Sequence, residues 1–353
     1  MTDSSAATPQ PGAPDSVVGP AALLGGNPMD LLDADMKHVL DRLAEMGTRP
    51  LELLSPEAAR RQPRPAEAIS AILSHQRRQR PEDGVAAEDI TMTGADSELA
   101  ARLYRPGGLL SRLNPVVLFF HGGGFVTGDL DSHDASARTL ARRTGAIVLS
   151  VAYRLAPEHP FPAAHDDAWA AWQWLNSHVR DIAGDPRRLA LAGEDAGANL
   201  AAHVAMRARD AGLGQPVHQV LIHPIAGNDL ATASYGEMRA VRPIGLHALR
   251  WQLRQAFAEE AQREDPRLNL VARQDLAGLA PATIILARID PLRSEGEALA
   301  EALEAAGVPV NCWTYDGVTQ GFFGLGLVVT KAVFAQADAA DALSKAFAPS
   351  RRS

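Results

Sequence analysis

The stretch Gly193-Glu194-Asp195-Ala196-Gly197 sets an acidic side chain between two glycines at the spacing Gly-x-nucleophile-x-Gly. It joins an apolar run, residues 189–192, to a helix-forming run, residues 198–211. A sharp strand–turn–helix needs small neighbours, which Ala192, Ala196 and Gly197 supply, and it lifts the central side chain clear of a sheet. Such a turn usually carries serine; here it carries Asp195. Upstream, the apolar run 116–120 leads into His121 and three consecutive glycines, Gly122, Gly123 and Gly124. Lacking Cβ atoms, they let the backbone approach a ligand and converge N–H groups on one spot. Donors arranged in this way stabilise the oxyanion formed when an acyl carbonyl is attacked.

These groups need a scaffold, and the hydrophobic pattern supplies one. Strands are expected at 90–92 and 99–104, as an antiparallel pair, then at 116–120, 147–151, 189–192, 220–222, 282–286 and 310–315. The middle runs are continuously apolar, as in strands buried on both faces. Helical patterns lie between them at 135–143, 163–175 and 198–211, with an insertion at 246–261 and a last helix at 328–347. Alternating strands and helices make an α/β chain with a mostly parallel central sheet flanked by helices. Before the first strand, Met36, Val39, Leu40 and Leu43 recur with helical period, and Gly47 can end that helix. Ser55-Pro56-Glu57 reads as an N-cap with proline in the first turn, and a third helix is expected over 66–80. These segments are expected to form a helical cap.

In order along the chain come FFHGGGFVTGDLDSHD, YRLAPEHPFPAAHDDAWAAWQWL, the elbow GEDAGA, ARIDPLRSEGEALAEALEAAGVPV and YDGVTQGFFGL. This series resembles the hormone-sensitive-lipase-like branch of the α/β-hydrolase family, over roughly residues 30–348. The resemblance implies an α/β-hydrolase fold, with a single domain at 29–349 whose cap covers about 29–80 and 228–262. It also implies esterase or lipase chemistry with a Ser-His-Asp triad. Carried over by position, Gly122 and Gly123 with the N–H of Ala196 match the oxyanion hole, and Asp290 matches the triad acid. The elbow of that branch reads G-D-S-A-G-G, so Asp195 replaces the nucleophile. Gln320 stands where the branch has its base histidine.

All eleven histidines lie between His38 and His247, so none follows Asp290, where the chain order Ser…Asp…His puts the base. His121 belongs to the glycine turn, and His159 and His165 to a proline-rich segment; structural roles are expected for them. An amide has no useful pKa near neutrality, and losing a nucleophile or its base lowers kcat by about 10⁶, roughly 8 kcal/mol. Conventional serine esterase turnover is therefore not expected. The main reading is a degenerate triad, Asp195, Asp290 and Gln320, in a site that binds a small apolar or carbonyl-bearing ligand. The Asp195 carboxylate would fill the hole with its own anion, and Gln320 could hydrogen-bond both carboxylates. Plant gibberellin receptors are similar relatives that lost the base and bind a small ligand beneath an N-terminal lid.

The alternative is an enzyme that uses Asp195 itself. As a base it would serve a lyase, isomerase or cyclase, or assist water in weak carboxylic-ester hydrolysis. As a nucleophile it would resemble haloalkane dehalogenases and epoxide hydrolases, which put aspartate at the elbow but use histidine to activate water. Without that histidine the protein would label itself once. The helix N-terminus should lower the pKa of Asp195 and the nearby Asp290 raise it.

The remaining features narrow the setting. A net charge of −8 offers no basic field for nucleic acid or anionic lipid. Hydrophobic residues make up 46% and charged residues 22%, enough for a large core, and every apolar run is too short to span a bilayer. The single cysteine, Cys312, excludes internal disulfides and is expected to be buried on its strand. Residues 1–28 are rich in Ala, Pro, Gly and Ser and read as a disordered tail, not a signal peptide. The expectation is a cytoplasmic protein with a small-molecule partner and no cofactor or metal. Pairing along the 310–315 strand could join two copies into a homodimer.

Overall fold

The computed structural model describes residues 26–77, 83–108 and 113–348. The expected tail over 1–28 therefore falls almost wholly outside the described residues, as does the end of the expected helix 66–80. Eight strands form one sheet in the order β1-β2-β4-β3-β5-β6-β7-β8. They are β1 (Val85–Thr93), β2 (Glu98–Pro106), β3 (Asn114–Phe120), β4 (Ile147–Val151), β5 (Gly184–Glu194), β6 (Gln219–Ile222), β7 (Ala282–Ile289) and β8 (Val310–Thr319). β1–β2 and β2–β4 pair antiparallel, and every pairing from β4 to β8 is parallel. The mostly parallel sheet expected from the pattern, and the α/β-hydrolase fold implied by the resemblance, are present, with most strands reaching further than their apolar runs.

Adjacent residues of the central strands face opposite layers, as the pleat requires. On β3, Val116, Leu118 and Phe120 enter one core, while Val117 and Phe119 enter the other. The helices that cover the two faces or join the strands are α1 (Ala34–Glu45), α2 (Pro56–Arg60), α3 (Pro65–His75), α4 (Asp134–Thr144), α5 (Ala163–His178), α6 (Ala196–Ala211), α7 (Ala233–Glu237), α8 (Leu246–Ala256), α9 (Arg293–Ala305) and α10 (Thr330–Phe347). Ser55 caps α2 through a hydrogen bond from the Ala58 N–H, with Pro56 at the first position. The inserted helix α8 stops at Ala256, short of residue 261. Helix α9 has no counterpart in the pattern-based expectation. No helix among the described residues is long and apolar enough to cross a membrane.

The first three helices are tied to the sheet's upper loops by ion pairs and hydrogen bonds. Arg60 donates to the carbonyls of Val126 and Ala156 and grips Glu158 with both terminal nitrogens, and Arg64 grips Asp129 in the same way. Of the three tryptophans on α5, Trp172 is fully buried and Trp169 nearly so, with Arg207 over its ring. Packing accounts for both. Cys312 corrects its expectation: it is exposed, because β8 is an edge strand whose residues 311–313 face outward.

Candidate active site

Strand β5 ends at Glu194, and α6 starts at Ala196, leaving a single residue, Asp195, to turn the chain. Its backbone sits at φ 54°, ψ −116°, in positive-φ space that aspartate tolerates better than most residues. The two flanking glycines are fixed by contact. A Cβ on Gly193 would lie 2.2 Å from the carbonyl oxygen of Gly197, and one on Gly197 would lie 2.1 Å from that of Phe120. The elbow is thus wedged against β3, beside the glycine turn that follows it.

The glycine turn points its N–H groups at Asp195. Gly123 and Gly124 each donate to Asp195 Oδ2 at 2.8 Å, and the Ala196 N–H at the start of α6 also favours the charged carboxylate. Gly122 does not take part, because its N–H donates to His133 Nε2 at 3.1 Å. The donor set expected at Gly122 and Gly123 is therefore displaced by one residue, to Gly123 and Gly124. The reason lies in the turn: Gly123 (φ 119°) and Gly124 (φ 60°) take the positive-φ conformations that aim consecutive amides inward. The other carboxylate oxygen, Asp195 Oδ1, is buried and has no partner.

Burial raises the Asp195 pKa from 3.8 to about 6, with the backbone donors pulling it down and the Asp290 charge pushing it up. The contest expected between helix terminus and like charge is thus decided by a third effect, loss of water. Asp195 is still mostly ionised at neutral pH.

Asp290 follows β7 directly and is fully buried; its Oδ1 accepts the Leu292 N–H at 2.8 Å. Gln320 follows β8 directly and is buried; its Oε1 has no partner, and its Nε2, the donor that could reach a carboxylate, bonds neither Asp195 nor Asp290. Glu194, also buried, has its pKa raised by burial, with Ser136 and His223 opposing the rise.

One residue was missed. His223 follows β6 directly, fully buried, with Nδ1 3.2 Å from Asp290 Oδ2. That is ion-pair distance, yet the N–H is not aimed along the bond, and both ring nitrogens lack a hydrogen bond. His223 also has positive φ (47°), and its N–H donates to Ile285 on β7. Glu194 pairs with Ile222 at the end of the β5–β6 ladder, and Asp195 and His223 each follow directly, with the Asp195 N–H donating to the Ile222 carbonyl. Four consecutive strands, β5 to β8, thus end in Asp195, His223, Asp290 and Gln320, at the carboxyl edge where open α/β sheets hold their ligands. The sequence carried one signal for His223: a histidine closing the apolar run Val220-Leu221-Ile222.

Asp195, His223, Gln320 and Glu194 line one cavity of about 1110 Å³, walled on the far side by residues of α1, α3 and α8 such as Leu43, Ile69 and Ala248. His159 and His247 also line it, and His165 is committed to Asn199 at 2.9 Å. Among the described residues no group of three or more His, Cys, Asp or Glu could hold a metal ion.

Residues 117–324 match the family model described as alpha/beta hydrolase fold. The chain is 41% identical over 251 residues to the carboxylic ester hydrolase LipN of Mycobacterium tuberculosis, covering 69% of this chain and 66% of that protein. It is 40% identical over 251 residues to the esterase LipI of the same organism, covering 69% and 77%. Among solved structures, a hyperthermophilic esterase of Pyrobaculum calidifontis superposes with a TM-score of 0.79 at 33% identity, covering 89% of this chain and 98% of that one.

Proposed function

Since the chain belongs to the alpha/beta hydrolase fold family, we propose that it is an esterase relative that has left serine chemistry and takes a small, largely apolar or carbonyl-bearing ligand into its cavity. One observation carries this reading: Asp195 Oδ2 occupies the point on which the Gly123 and Gly124 N–H groups converge. In a serine enzyme of this shape that point receives the substrate's oxyanion. Here the protein's own carboxylate takes those donors, and no hydroxyl stands at position 195 to attack. The degenerate set Asp195, Asp290 and Gln320 fits this reading, as does the cavity, which has room for a ligand of ordinary metabolite size.

Hydrolysis of short-chain p-nitrophenyl esters tests it. The native protein is expected to be silent, and the double variant Asp195→Ser plus Gln320→His to gain turnover. Native hydrolysis that vanishes in Asp195→Ala would refute the reading. A second reading, with Asp195 as a working nucleophile or base, is favoured by its unpartnered Oδ1 and by the His223 side chain that lines the same cavity. We place any second copy of the chain along the exposed β8 edge, beside Trp313.

A further inference from the structure

We propose that the cavity takes an apolar chain with an anionic head, a phosphate monoester or a carboxylate, held head-outward against Arg49, Arg239 and Arg242. This rests on the first reading above, a ligand site in place of a serine esterase, and adds where the ligand carries its charge and which way it points.

The cavity's cations divide into two sets. Arg60 and Arg64 line it but are committed, the first to Glu158 and two backbone carbonyls, the second to Asp129. Arg49, Arg239 and Arg242 also line it, are exposed, and make no ion pair or side-chain hydrogen bond among the described residues. The acids facing the same space are mostly answered: Asp41 by Lys37, Asp129 by Arg64 and Glu158 by Arg60. Away from the floor, Glu52 is the one acid lining the cavity that has no ion pair among the described residues. Three unpaired guanidinium groups against one carboxylate make a local positive surplus, on a chain whose net charge is −8.

The three arginines come from two parts of the cap that pack together. Arg49 follows α1, and Arg239 and Arg242 precede α8. Met238 and Val241, beside the second pair, pack against Met29 and Leu32 ahead of α1. Trp251 on α8 donates to the Leu54 carbonyl at 3.1 Å, which joins the same two segments again.

The inner end of the cavity has the opposite sign. Glu194 and Asp195 are buried there, and Asp195 Oδ2 already takes the Gly123 and Gly124 amides that could have received an anion. An anionic head is repelled from that end and drawn to the rim. Leu43, Ile69, Ile244 and Leu325 line the cavity with hydrocarbon. Burying the chain against them supplies affinity, while the rim selects the head. Guanidinium groups suit that head, because their planar N–H forks match carboxylate and phosphate oxygens and keep their charge. A phosphate monoester carries about −1.5 to −2 near neutral pH and can engage more than one of them. An ester in a serine enzyme lies the other way, its polar carbonyl on the glycine turn.

Calorimetric titration of the full chain with octyl phosphate, octanoate, 1-octanol and octyltrimethylammonium tests the head. Octyl phosphate is expected to bind tightest, then octanoate, then 1-octanol, with the cation weakest. The double variant Arg239→Ala plus Arg242→Ala removes two exposed groups that make no contact the fold uses. It should weaken octyl phosphate about 10-fold and leave 1-octanol unchanged. Added salt should weaken octyl phosphate with the same selectivity. Octanedioate tests the orientation: its second carboxylate would meet the acidic inner end, so it should bind about 10-fold more weakly than octanoate. Octanedioate binding as tightly as octanoate would overturn the head-outward placement. Equal affinity for all four octyl probes, or unchanged octyl phosphate binding in the arginine variant, would overturn the anionic head and leave the cavity standing as a ligand site. Failure of every probe to bind would overturn the proposal as a whole. Native hydrolysis of p-nitrophenyl esters is a separate result; it would remove the reading on which the proposal rests, whatever the ranking of the probes.

Discussion

Replacing Asp195 by asparagine keeps the shape of the side chain, including an oxygen for the Gly123 and Gly124 donors, and removes its charge. The carboxyl titrates at 3.8 when unperturbed and at about 6 in the fold, chiefly because it is buried. Between those values the folded protein holds a proton that the unfolded chain has released. Stability therefore falls as pH rises through that window, the reverse of a salt-bridged carboxylate. At about 1.4 kcal/mol per pH unit the full loss is about 3 kcal/mol, complete above pH ~6 and absent below pH ~4. The Asp195→Asn variant escapes it. It should be about 3 kcal/mol more stable than the native protein near pH 7.5, with the gap shrinking to about 1 kcal/mol near pH 4.5. Urea unfolding of both proteins across that range measures the difference, in which the other buried acids, Glu194 and Glu295, largely cancel. A gap that stays constant, or widens toward acid, would refute the assignment of a raised Asp195 pKa.

Three further outcomes follow from contacts already described or close to them. Gly197→Ala drives a methyl into the Phe120 carbonyl. It should cost about 3 kcal/mol or yield insoluble protein, checked by urea midpoint and soluble expression. Asp167 is fully buried and accepts bonds from the Arg154 guanidinium and backbone N–H. Asp167→Ala removes the buried partner of that guanidinium, leaving it only the exposed Asp96, and should destabilise by about 3 kcal/mol, whereas Glu57→Ala, at an exposed helix pair with Arg61, should stay within about 0.5 kcal/mol. Calorimetry of both variants makes the comparison. Arg60→Ala unties α2 from the Val126 and Ala156 carbonyls and should lower stability by about 1–2 kcal/mol, discounted for the exposed Glu158; protease nicking near residue 60 would report the loosening.

The elements that depend on local pattern were legible in the sequence. The central strands β3 to β7 announced themselves through continuous apolar runs, because a strand covered on both faces cannot be disguised; the edge strands β1 and β8 showed only in part. The elbow did so through glycines for which the fold leaves no room to vary. Helix α9 was overlooked because Gly296 sits within it and its first turn, Arg293 to Gly296, follows a proline. Cys312 was misplaced because an apolar strand pattern does not say which strand lies at the edge. His223 was missed for a deeper reason. Chain order directs the search for a base downstream of Asp290, whereas nearness to Asp195 depends on the order of strands in the sheet. That order places residue 223 one strand away and residue 320 three strands away.

Because parallel strands end at a common edge, their terminal residues form a row of interchangeable mounts facing one chamber. A group lost from one mount can reappear on its neighbour with little change to the backbone between them. Motifs written as fixed positions along a chain would score such a migration as a loss, although the chamber's inventory of functional groups had only been redistributed.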